Sequence, residues 1–128
     1  FYTYIHIGSS SITGVAFYSG GDYPSQYVNS LFFADYARGW LKVMFPDANG
    51  LPNPGNILTF IPNSISPVDV QRGPGGDIYY VNIGNGTVHH IDYLNGNNPP
   101  VAIVSANVTT GNAPLPEAPP IRRRSRSA

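Results

Sequence analysis

An all-β fold is what this sequence predicts, and three observations predict it. β-Branched and aromatic residues gather in short runs, Gly, Pro, Asn and Asp cluster between those runs, and long helix-forming stretches of Ala, Leu, Glu and Lys are missing. The 128 residues hold 14 Gly, 13 Pro and nine Tyr, a mixture suited to short strands and tight turns. That length accommodates one ordinary domain.

Taken in order, residues 12–18 (ITGVAFY) read as a strand closed by the turn cluster Ser19-Gly20-Gly21-Asp22. Residues 30–36 (SLFFADY) and 39–45 (GWLKVMF) follow, joined through Ala37-Arg38 with Gly39 behind, which suits a hairpin. The segment 46–54 (PDANGLPNP) reads as loop and 56–61 (NILTFI) as a fourth strand. A second group comprises 67–71 (PVDVQ), the turn Arg72–Gly76, 77–83 (DIYYVNI), the turn Gly84–Gly86 and 87–93 (TVHHIDY). Asn85-Gly86 is expected to make a two-residue hairpin turn. Residues 94–100 (LNGNNPP) have linker composition, 101–109 (VAIVSANVT) open another strand-like run, and everything after Gly111 is Pro-rich and expected to lack fixed structure.

Two side-by-side meanders of four antiparallel strands have the size of propeller blades. A blade buries both faces against neighbours, so two blades alone leave broad apolar faces uncovered. Leu31–Phe33 and Ile78–Val81 are the strands expected to face water in that case. The expectation is therefore a fragment whose partners are further blades, divided into blades at 1–94, a linker at 95–100, a truncated segment at 101–112 and a Pro/Arg-rich tail at 113–128.

Residues 1–100 carry three basic residues against six Asp, a net of −3, which offers no footprint for a phosphate backbone; no nucleic-acid partner is expected. Arg122, Arg123, Arg124 and Arg126 read as a solvated tail. No apolar run reaches transmembrane length, so no membrane span is expected. There is no Cys to report on redox compartment, and the sequons at Asn85 and Asn107 arise easily in an Asn-rich chain.

Ser11-Ile12-Thr13-Gly14-Val15-Ala16-Phe17-Tyr18, Tyr23-Pro24, Leu31-Phe32-Phe33-Ala34-Asp35-Tyr36 and Arg38-Gly39-Trp40 together resemble the glucose/sorbosone dehydrogenase family. The stretch from Val68-Asp69-Val70 through Gly75-Gly76-Asp77-Ile78-Tyr79-Tyr80-Val81 is similar to that family's closing motif, so the resemblance spans roughly residues 4–93. It implies about two blades of a six-bladed β-propeller from a secreted, extracellular or periplasmic protein. Many members bind pyrroloquinoline quinone (PQQ) and calcium and oxidise a sugar at its anomeric carbon. Asn97–Ala102 resembles the start of a PKD-type immunoglobulin-like domain.

The departures are specific. Quinone-binding members carry two Arg ahead of the Asp69-Val70 motif and a Lys before the Arg-Gly pair, whereas Ser66, Val68 and Ala37 stand in those places. Charge-assisted bonds to an anionic cofactor are lost with them. The chain alone is accordingly expected to be catalytically inactive and to hold no cofactor. The alternative is a non-catalytic extracellular propeller that binds carbohydrate or protein.

Arg38 and Asp69 remain as cofactor-binding candidates. His6, Tyr36 and Trp40 are substrate-binding candidates, His6 because it could line a channel and the two aromatics because they flank the Arg38-Gly39 turn and could stack on a sugar. Asp35, like Asp69, matches a family position and is read as orienting a neighbouring loop or Arg38. His89 and His90 are adjacent, so on a strand they point to opposite faces and make poor joint ligands. Six Asp scattered singly show no EF-hand or zinc spacing, and no catalytic residue and no metal site are expected.

Overall fold

The computed structural model describes residues 2–93 and the backbone of the short strand 101–104. Among the described residues, eight strands form two antiparallel sheets, each in strict sequence order. The first comprises β1 (Ile12–Phe17), β2 (Leu31–Asp35), β3 (Trp40–Pro46) and β4 (Pro52–Ile61). The second comprises β5 (Pro67–Arg72), β6 (Ile78–Asn82), β7 (Thr87–Asp92) and β8 (Val101–Val104). No α-helix occurs among the described residues, and none there is long and apolar enough to cross a membrane. The all-β expectation is met.

The segment expected to open a separate module supplies, at Val101–Val104, the backbone partner of β7. The remainder of 94–128, including the linker at 95–100, the rest of the 101–112 segment and the Arg-rich tail, lies outside the described residues.

Side-chain alternation assigns the faces. Val43 and Leu41 on β3, Phe32 and Ala34 on β2, and Val70, Ile78, Tyr80 and Ile91 from the second sheet meet in one buried cluster. The core therefore lies between the two sheets. Tyr18, Tyr23 and Tyr27, at the end of β1 and in the long β1–β2 connection, complete it. Tyr23 ties the layers together. Its ring stacks on Tyr18 at 4.4 Å, its hydroxyl donates to the Ile91 carbonyl, and the Ile78 N–H donates to its oxygen. A buried phenol with both hydrogen-bond roles filled avoids the cost of an orphaned polar group.

The first strands of the two sheets pass close to one another at Gly14. A Cβ there would lie 2.4 Å from the Val70 backbone nitrogen, so only glycine lets β1 pass β5. Thr13 adds a hydroxyl donated to the Pro67 carbonyl.

Three expectations need correction. The 46–54 loop is shorter, because β3 runs through Pro46 and β4 begins at Pro52. Pro52 and Pro54 are tolerated because β4 is an edge strand and no N–H is required on its open side. The Asn85-Gly86 turn is not a two-residue hairpin, since pairing ends at Asn82 and Thr87 and leaves four residues between them. There the Asn82 carboxamide oxygen accepts from Ser66 N–H and Gly84 N–H, which binds the tip to the β4–β5 connection. Finally, β2 and β6 are not turned to water as strands: Phe32 and Ile78 are fully buried and Phe33 and Tyr80 nearly so, while Leu31 and Tyr79 are partly buried.

Candidate functional site

The face of the first sheet turned away from the core is built by cross-strand pairs. Val15 opposes Phe33, Phe17 opposes Leu31, and Leu31 opposes Met44, so all five project to the same side. Val15 and Phe17 are more than half exposed, a poor outcome for large apolar residues on a sheet face. With Leu51 and Tyr2 they line an apolar groove of about 740 Å³.

Residues ahead of β1 cover one end of this face. Tyr2 meets Phe33 edge-on at 6.3 Å, Tyr4 meets Trp40 at 5.7 Å, and Trp40 meets Phe33 at 5.6 Å. Asp35, fully buried at the end of β2, holds the segment in place. Its carboxylate accepts from the Tyr4 hydroxyl at 2.9 Å, the Ser11 N–H at 3.1 Å and the Arg38 N–H at 2.9 Å. Burial and then the Asp35 carboxylate push the Tyr4 phenol up from its ordinary value.

The structure brings Arg38 and Trp40 together with this aromatic end and separates the other candidates. The Arg38 guanidinium donates to the Ile7 and Ser9 carbonyls at 2.7 and 3.2 Å and lies over the Tyr4 ring. Trp40 is 7% exposed, with the Lys42 ammonium 4.4 Å from its ring centre. Tyr36 is half exposed at the hairpin tip, its N–H bonded to the Ser11 carbonyl. His6 is exposed. Asp69 lies on the second sheet, where its carboxylate accepts from its neighbour Val70 N–H and from the Gln71 amide.

His89 and His90 do point to opposite faces. His89 stacks on Tyr80 and its Nε2 lies 2.7 Å from Thr87 Oγ1; burial pushes its pKa down, which favours the neutral ring. His90 stacks on Tyr79, and its Nε2 lies 2.8 Å from Asp77 Oδ2, both side chains being almost fully buried. Asp92 completes a group with them in which one ligand-capable atom from each residue lies within 4.8 Å of the others. Reading the chain linearly misses this trio. The signal was His-x-Asp on β7, two residues apart and so on one face, with Asp77 heading the strand hairpinned to it.

Comparison of the chain with protein-family models, with curated proteins and with solved structures finds no match.

Proposed function

We propose that the two sheets are consecutive blades of a larger β-propeller of the glucose/sorbosone dehydrogenase type, from a secreted protein, and that these blades act as scaffold instead of carrying the chemistry. One observation carries the proposal: the outer face of the first sheet is apolar and open along Val15, Phe17 and Leu51, while its inner face is sealed against the second sheet. Exposed apolar surface of this kind marks a site of contact. A preceding blade is the occupant whose flat, apolar face fits it. The close passage of β1 by β5 at Gly14 supports the same arrangement, with the first strands innermost.

In that family the reaction is quinone-dependent oxidation of aldose sugars, with the cofactor doing the redox step and the propeller positioning it. The two cofactor-binding candidates on these blades do not offer free groups for that work. Arg38 is engaged by two carbonyls and the Tyr4 ring, and Asp69 by its own strand. That favours, as a second reading, a non-catalytic propeller binding carbohydrate or protein outside the cell.

The coding region upstream of Phe1 tests the scaffold. Further blade-sized, four-stranded repeats are expected there, and a different fold in that place rejects the propeller. Dye reduction by the complete protein with aldoses, quinone and calcium then separates the two readings. Quinone-dependent turnover selects the dehydrogenase, and no quinone binding selects the non-catalytic propeller. The 128-residue chain by itself is expected to show neither turnover nor quinone binding.

A further inference from the structure

We propose that Asp77, His90 and Asp92 form a binding site for one divalent transition-metal ion of the zinc class. The backbone sets the trio up. His90 and Asp92 are two apart on β7 and share a face, and Asp77 immediately precedes β6, whose Ile78 begins the strand paired with β7. One ligand-capable atom from each of the three lies within 4.8 Å of the other two. Bonds of about 2.1 Å around a dication place neighbouring ligand atoms roughly 3–4 Å apart. Small side-chain rotations therefore close the site.

The independent observation is Asp77 itself. It is 3% exposed, its Oδ2 bonds only to His90, and its Oδ1 is buried with no hydrogen-bond partner. A buried carboxylate half unsatisfied is costly, and native proteins rarely leave one so. Among the described residues no Lys or Arg pairs with Asp77 or with Asp92, and Asp77 has the His90 ring as its side-chain partner. Two carboxylates and one imidazole in this small space are the donor set of a borderline dication: too few oxygens for calcium, no thiolate for a softer ion. Stacking on Tyr79 holds the His90 ring plane, and the remaining coordination positions fall to water. The site sits within the second sheet and does not depend on the propeller reading.

Equilibrium dialysis of the untagged 128-residue chain against Zn²⁺ tests it, because dialysis counts ions per chain whatever the oligomeric state. The deciding variant is Asp92→Asn, which is isosteric and removes a half-buried carboxylate bonded to nothing among the described residues. His6→Ala controls for surface binding. The expected result is one Zn²⁺ per chain, at least tenfold weaker binding in Asp92→Asn with an unchanged melting temperature in EDTA, and no change in His6→Ala. Absence of stoichiometric binding, retention of full affinity in Asp92→Asn, or loss in His6→Ala each overturns the site.

Discussion

Tyr80 shows how a single buried group couples this fold to pH. Desolvation between the sheets pushes its phenol up to about 12, from an ordinary value of 10.0. The unfolded chain releases this proton near pH 10 while the folded chain keeps it. The contribution is thus complete below pH 10 and is lost as pH rises from 10 towards 12. Tyr80→Phe is expected to flatten the fall in urea-unfolding free energy across that window, by on the order of 2 kcal/mol, measured from pH 9 to 12. Asp35 illustrates the complementary case, a buried carboxylate with three donors, which anchors the segment ahead of β1 and the backbone at Arg38.

At the scale of elements, β1 and β5 pass backbone against backbone at Gly14. Because a Cβ on Gly14 would fall 2.4 Å from Val70 N and 2.9 Å from the Asp69 carbonyl carbon, no rotamer change relieves the clash. Gly14→Ala is expected to destabilise the chain by about 2–3 kcal/mol in chemical denaturation, since the strands must part and the shared core must loosen. A shift below 0.5 kcal/mol would show that β1 and β5 are not in contact. Strand limits were legible from period and turn residues to within a few positions: β1 to β3 and β5 to β7 all fall inside or against their expected runs. The misses came from long-range bonds. Ser66 capturing Asn82 changed the β6–β7 turn, and edge-strand freedom let prolines into β4.

For the whole molecule, the unmatched face decides behaviour. Val15, Phe17 and Leu51 remain open to water along a groove of about 740 Å³. Burial of such surface is worth about 25 cal/mol per Å², so the isolated chain is expected to self-associate through it. Sedimentation velocity on wild type and on a Val15→Lys/Phe17→Glu pair provides the check: the variant is expected to be monomeric at concentrations where the wild type is not. Equal association of both would assign the contact to another surface.

What the sequence by itself determined is local: an all-β chain, its strands, the two groups of strands and the opposed directions of His89 and His90. These follow from alternation with a period of two and from turn-forming residues, which act over a few positions. Which face is sealed, which is open, and the meeting of Asp77 with His90 and Asp92 were decided only in three dimensions. Hairpin register and sheet packing join residues far apart along the chain, and no linear spacing records that juxtaposition.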